Sequence, residues 1–146
     1  MGLQRPPTDL AKLKVRLAKV DVSKLFRISR HETGEPYFGR SGANRFDAPD
    51  RSYGTCYCGF DLQTALAETV LHDVSPQSGV WSAALHAHPD GFDGILYMSR
   101  HVNDRKAAVL FEVAKRKFAG FTATPLAQVR GLGRVQAGLG IRVVYP

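Results

Sequence analysis

The chain has 146 residues, 44% of them hydrophobic and 23% charged, and its 20 Lys and Arg against 13 Asp and Glu give a formal net charge of +7. Such a composition fits an ordinary globular protein, long enough for one domain with a sizeable core. No stretch approaches the apolar length of a bilayer span and MGLQRPPTDLAKLK lacks the apolar core of a signal peptide, so a cytoplasmic protein without membrane association is expected. The positive charge suits nucleic acid, phosphorylated ligands or an acidic protein partner equally well, and it is dispersed along the chain without zinc-finger spacing or an RNP-like aromatic motif.

In chain order, Pro6, Pro7 and Thr8 announce a helix from about Asp9 to Lys19, with Leu10, Leu13 and Leu17 on one face and lysines on the other. Val22 to Ser29 reads as a strand with Arg27 near its end. A Gly-rich loop with Gly34, Gly39 and Gly42 follows, which matches neither a Walker A nor a dinucleotide fingerprint. A Pro/Asp turn signal over Asp47 to Asp50 precedes a β-type run, Tyr53 to Phe60, whose alternation sends Tyr53, Thr55 and Tyr57 to one face and Cys56, Cys58 and Phe60 to the other. Asp61 can cap a helix with Leu62, Ala65, Leu66, Thr69 and Val70 as its buried stripe, leaving Glu68 beside that stripe on the edge shared with Thr64 and Leu71. Val74 to Gly79 reads as a break, and Trp81 and Leu85 of the following apolar stretch are expected in the core. Pro89 to Gly94 is a turn, Ile95 to Met98 a short strand, and Ser99 leaves that strand next to a loop, a position from which a polar residue can touch a ligand. Ala107 to Phe111 is a strand or the start of a helix. Pro125 can open a helix to about Gln136, with Ile141 to Tyr145 closing the chain as a strand. Strands scattered among helices indicate a compact α+β domain.

The densest chemistry lies between Arg45 and Asp73. An arginine, a tyrosine and a glutamate from three short consecutive elements, Arg45, Tyr57 and Glu68, can form a site for an anionic ligand. Taken singly, they can also be a surface guanidinium, a half-buried strand tyrosine and a solvated helix residue. Cys56 and Cys58, together with His86 and His88, supply four soft ligands, but the one-residue spacing of both pairs is unlike a structural zinc knuckle, so core thiols are expected and no metal. The same spacing is poor for a disulfide, which leaves reduced cysteines. No nucleophile elbow is present.

Five blocks, LFRI (Leu25 to Ile28), ANRFDAP (Ala43 to Pro49), YGTCYCGFDLQTALAETVLHD (Tyr53 to Asp73), DGILYMSRH (Asp93 to His101) and AVLFE (Ala108 to Glu112), resemble the successive blocks of the RES domain, in that family's order. The resemblance implies a catalytic domain over residues 25–146, similar to diphtheria-toxin-type ADP-ribosyltransferases, behind an N-terminal helical extension over residues 1–24. It also implies NAD⁺ as substrate rather than cofactor, inorganic phosphate as a possible co-substrate, and a toxin paired with a helix-turn-helix antitoxin through which any contact with nucleic acid would run. The family's functional positions would fall on Arg27, Arg45, Tyr57, Glu68 and Ser99. The segment between His72 and Trp81 is shorter than is usual in the family, and Ile28 stands where some members place a tyrosine.

The chemistry suits those residue types. Breaking the nicotinamide–ribose bond passes through an oxocarbenium-like state, for which Glu68 would supply the stabilising carboxylate. Arg27 and Arg45 would hold the pyrophosphate by bidentate pairing, Tyr57 would orient the nicotinamide or its ribose, and Ser99 would contact the substrate. The expected function is NAD⁺ cleavage by phosphorolysis or hydrolysis. An ADP-ribosyltransferase acting on a macromolecule, and a basic nucleic-acid-binding module, are the alternatives.

Overall fold

The computed structural model describes residues 3–30, 34–71, 75–118 and 120–141. Its centre is a three-stranded antiparallel sheet of β1 (Thr55–Gly59), β2 (Gly94–Met98) and β3 (Lys106–Phe111), in the order β1-β3-β2. Helices α1 (Leu62–Val70), α2 (Pro76–His86) and α3 (Leu132–Gly138) complete it, which makes the α+β class plain. Among the described residues no helix is long and apolar enough to cross a membrane.

β3 is the middle strand, and Ala107 through Phe111 are all buried. Covered on both faces, it shows a continuous apolar run with no alternation to distinguish strand from helix. β1 alternates as expected. Cys56 and Cys58 join Phe38, Ala108, Leu110 and Ala114 in one cluster, while Tyr53 joins Ala48 and Phe111 on the opposite face. The sheet thus separates the cysteines, free and buried with their sulfurs 3.9 Å apart, from His86, which stacks on Tyr53. The outer edge of β1 is covered at both ends by single bridges, Gly39 to Thr55 and Phe26 to Gly59. The strand expected over Val22 to Ser29 is reduced to that one bridge at Phe26, after a 3-10 turn at Val22–Lys24 capped by Asp21.

Asp61 caps α1, accepting from the Thr64 N–H at 2.8 Å, and its other oxygen meets Arg105 Nη1 at 2.9 Å just before β3. The buried face of α1 is turned from the expected stripe: Thr64, Ala65, Leu66 and Ala67 are buried, whereas Val70 is 46% exposed. The cause is close approach at Gly59, where a Cβ would lie 2.4 Å from the Ala65 nitrogen. The small Ala and Thr side chains therefore face the sheet, and Glu68, one turn beyond Thr64, is carried inward with them.

α2 spans most of the expected break, starting at Pro76, whose fixed φ suits a first helical turn. Its buried residues are Ser78, Gly79 and Ser82, so Trp81 and Leu85, expected in the core, are only half-buried. The Trp81 indole instead donates to the Gln4 carbonyl at 2.6 Å. His88 accepts from the Asp90 N–H through Nδ1, so its Nε2 carries the proton toward the Leu10 carbonyl, 3.2 Å away. These bonds tie down an N-terminal segment that is not the expected helix. Only a 3-10 turn forms, at Leu10–Lys12, and Leu13 and Leu17 are exposed. An isolated helix of fewer than about 12–15 residues is marginal unless its apolar stripe is buried, and this stripe is not.

The helix expected over Pro125 to Gln136 is broken into a 3-10 turn, Leu126–Gln128, and α3, because Gly131 between them takes φ 84°, a left-handed conformation that ends a helix. Of the expected closing strand, Arg142 to Tyr145 lie outside the described residues.

Burial works to raise the Asp61 pKa, but its hydrogen bonds from Thr64 and its pairing with Arg105 hold it below the ordinary carboxylate value of 3.8. Asp61→Ala should cost about 1 kcal/mol at neutral pH, the usual worth of an N-cap. Because the folded pKa is the lower one, that contribution is complete above the unfolded value and disappears as pH falls through the folded value. In urea titrations the gap between parent and variant should stay constant from about pH 7 to 5 and close toward pH 2. A gap independent of pH would show that the carboxylate's charge plays no part in the cap.

Candidate active site

Between Gly39 and Tyr53 the chain crosses the end of the sheet without regular structure, and one side chain organises it. Asp47, 4% exposed, accepts five hydrogen bonds. Oδ2 takes the Ser41 hydroxyl at 2.8 Å and both the backbone N–H and the side-chain amide of Asn44 at 3.2 Å. Oδ1 takes the Thr55 hydroxyl at 2.6 Å and the Tyr57 hydroxyl at 3.1 Å, both from β1. A buried carboxylate is tolerated when its lone pairs are matched in this way, and the matching closes residues 41–47 into a fixed loop. Tyr57 reinforces it, since its oxygen also accepts the Phe46 N–H at 2.8 Å. Burial, with the Asp47 charge adding to it, pushes the Tyr57 pKa far up, so the phenol stays protonated.

The loop delivers Arg45. Its Nε lies 3.3 Å from the Ser78 hydroxyl of α2, and its guanidinium carbon stands 4.7 Å from the Phe46 ring centre and 5.6 Å from that of Tyr97. The loop in turn is docked on α2 through small groups. Ser82 donates to the Phe46 carbonyl at 2.6 Å and accepts from the Tyr53 hydroxyl at 2.8 Å, and a Cβ on Gly79 would come within 3.2 Å of the Asp47 carbonyl.

Glu68 reaches the same place from α1. Its Oε2 accepts the Tyr97 hydroxyl at 2.5 Å, while Oε1, also buried, has no hydrogen-bond partner among the described residues. A buried carboxylate oxygen without a protein partner is costly, and a ligand, an ion or an ordered water is the usual means of matching it. Burial and the Glu68 charge push the Tyr97 pKa far up, so Tyr97 remains the donor of this pair. Arg45, Tyr57, Glu68 and Tyr97 line a small pocket open to solvent, whose remaining wall includes Asn44, Arg100 and His101. The arrangement offers a carboxylate to a hydroxyl or a developing cation and guanidinium groups to an anion.

Two sequence-derived candidates stand elsewhere. Arg27 pairs with Glu35 at 2.9 Å, beside Cys56 on the face of β1 turned away from Tyr57. Glu35 also takes the Ser29 hydroxyl at 2.5 Å and the Tyr37 N–H at 2.9 Å, and against the effect of burial these contacts hold its pKa below the ordinary value. Ser99 is 2% exposed, and its hydroxyl accepts the backbone N–H groups of His101 and Val102, both at 3.2 Å. It shapes the turn that presents Arg100 and His101 and does not line the cavity. Sequence reasoning had no role for Asp47, Tyr97, Arg100 or His101. Alternation along GILYM, which sends Ile95 and Tyr97 to one face, was the available signal for Tyr97.

Fold and site together define an α+β domain with a cationic cavity built around one half-satisfied carboxylate. The family model of the RES domain matches residues 24–80, so the resemblance read from the sequence blocks holds over that stretch, which contains Arg27, Arg45, Tyr57 and Glu68. No curated protein and no solved structure matches the chain.

Removing the Asp47 carboxylate would take away the acceptor shared by the Ser41, Thr55 and Tyr57 hydroxyls. Asp47→Ala should therefore lower the unfolding free energy by about 3 kcal/mol, the scale for breaking a buried charged hydrogen-bond network. Chemical denaturation of both proteins reads this directly. A loss below about 1 kcal/mol would mean that water replaces the carboxylate and the loop does not depend on it.

Proposed function

We propose that the chain cleaves the bond between nicotinamide and ribose in NAD⁺ and acts as a toxin. The observation that carries this reading is the buried Oε1 of Glu68, without a hydrogen-bond partner among the described residues, in a pocket shared with Arg45, within a chain whose residues 24–80 match the RES domain, a family associated with NAD⁺-degrading toxins. In the proposed reaction the electron pair of the C–N bond leaves with nicotinamide. The ribosyl carbon becomes oxocarbenium-like and is taken by an oxygen of inorganic phosphate or water, which gives up its proton. Oε1 of Glu68 accepts a ribose hydroxyl and faces the developing positive charge, while Arg45 holds the pyrophosphate and the Tyr57 ring borders the nicotinamide end. The pocket is small and open to solvent, so only the reacting end of a dinucleotide would lie in it, with the remainder lying outward along the arginine side. Arg27 would join only after exchanging Glu35 for a phosphate, and Ser99 would act by holding its turn. The likeness to diphtheria-toxin-type ADP-ribosyltransferases comes with the family, as does a helix-turn-helix antitoxin covering the cavity.

The test is Glu68→Gln. The amide keeps the shape and can still accept from Tyr97, and it removes a charge that is only half matched. The melting temperature should equal or slightly exceed the parent's, as when a site residue held at a cost to stability is neutralised. Nicotinamide release should fall by roughly 10²-fold or more, the scale for losing one electrostatic stabiliser. Release at the parental rate by a folded Glu68→Gln protein would refute the mechanism. Running the parent with and without phosphate, and identifying the ribosyl product, assigns the acceptor.

A further inference from the structure

The two tyrosines on the cavity face of the sheet do different work. The hydroxyl of Tyr57 is consumed by Asp47 and the Phe46 N–H. That of Tyr97 donates to Glu68 Oε2. We infer that Tyr97 is a positioning residue, which ties one oxygen of Glu68 so that the other is held toward the substrate; the inference rests on the function proposed above.

The sheet register explains why the pair meets. Gly59, Ala107 and Tyr97 form one cross-strand row. The first two are small enough for α1 to lie almost on the backbone, with no room for a Cβ at Gly59. The third stands up beside the helix, where Glu68, three residues on from Ala65, comes within 2.5 Å of its hydroxyl. The terminal torsion of a glutamate is broad and nearly two-fold, so a carboxylate with two free oxygens has no fixed orientation. A short bond from a part-buried phenol to Oε2 removes that freedom and leaves Oε1 without a partner among the described residues. The Tyr97 ring packs on Phe46, centre to centre at 4.7 Å, and lies under the Arg45 guanidinium. One side chain therefore sets the carboxylate and helps to seat the arginine, and its two parts can be separated by mutation.

Tyr97→Phe keeps the ring and removes only the hydroxyl. In the full chain, kcat for nicotinamide release should fall about tenfold, corresponding to the loss of one hydrogen bond to a charged group. KM should stay within about twofold, because no contact with bound substrate is removed. In the Glu68→Gln background the same substitution should have no further effect on kcat. Tyr97→Leu, which also removes the ring under Arg45, should raise KM as well. Tyr97→Phe with parental kcat, or with an equal effect in both backgrounds, would overturn the inference. A readout independent of NAD⁺ separates this from failure of the proposed function. Proton NMR of the parent should show a far-downfield phenolic hydroxyl resonance that vanishes in Tyr97→Phe and moves upfield in Glu68→Gln. Its absence from the parent overturns the positioning role whatever the enzyme does, whereas its presence in a parent that releases no nicotinamide supports the positioning and refutes only the function.

Discussion

A buried carboxylate surrounded by donors holds this site together. Asp47 cannot remain inside the protein unless its lone pairs are matched, and the groups that match them belong to two separate stretches, the loop before it and strand β1 after it. Satisfying one charge thus fixes the path of residues 41–47 over the sheet. The positions of Phe46 and Arg45 follow, and through Ser82 and Ser78 so does the docking of α2. An apolar side chain at position 47 would fill space without choosing an orientation. A carboxylate accepting five hydrogen bonds chooses one, which is how buried polar networks specify structure.

The second carboxylate is held in the opposite way. Glu68 has one oxygen matched and one buried without a partner among the described residues, and it arrives on a helix pressed against the sheet by Gly59 and Ala107. Close approach of backbone elements recurs around the cavity: Gly79, Ser78 and Ser82 let α2 lie on the Asp47 loop as Gly59 lets α1 lie on β1. Small residues give up hydrophobic burial there, and the return is placement of polar side chains on rigid elements a few ångströms apart. The contrast between a fully matched Asp47 and a half-matched Glu68, on the same face of one sheet, separates the carboxylate that organises from the one available to a ligand.

Features governed by local rules were legible in the sequence. The β1 alternation, the Asp61 cap, the existence of α1 and the turn into β2 all depend on neighbours within a few residues, and all are present. The N-terminal helix failed because periodicity states only that a helix could bury a stripe, and Leu13 and Leu17 are exposed. Ala65 and Leu66 of the expected α1 stripe are buried, but Val70 is exposed and Thr64 and Ala67 are buried instead, because close approach at a single glycine outweighed the larger apolar residue, and no helical wheel contains that information. The partnership of Tyr97 with Glu68 depends on the register between β3 and both of its neighbours, which lies beyond what either segment encodes alone. Arg27 and Arg45 look equivalent as residue types, yet they lie on opposite faces of β1, Arg27 beside Cys56 and paired with Glu35, Arg45 beside Ser78 and Tyr97.

The charge pattern of the cavity bears on ligand class more than the net charge of +7 does. Arg45 and Arg100 on the wall would by themselves suit any anion, including a nucleic-acid phosphate. A carboxylate set among them, with one buried oxygen that has no partner among the described residues, disfavours a ligand that presents only negative charge, because two like charges would then face each other. A ligand carrying anionic oxygens at one end and a hydroxyl donor beside a positive or developing positive centre at the other satisfies both signs at once. Dinucleotides with a cationic nicotinamide ring have that distribution of charge, and cleaving the glycosidic bond moves positive charge from the ring onto the ribose, toward the carboxylate in the proposed geometry. A carboxylate so placed interacts more strongly with the transition state than with the bound ground state, which is the condition for its binding energy to appear in turnover.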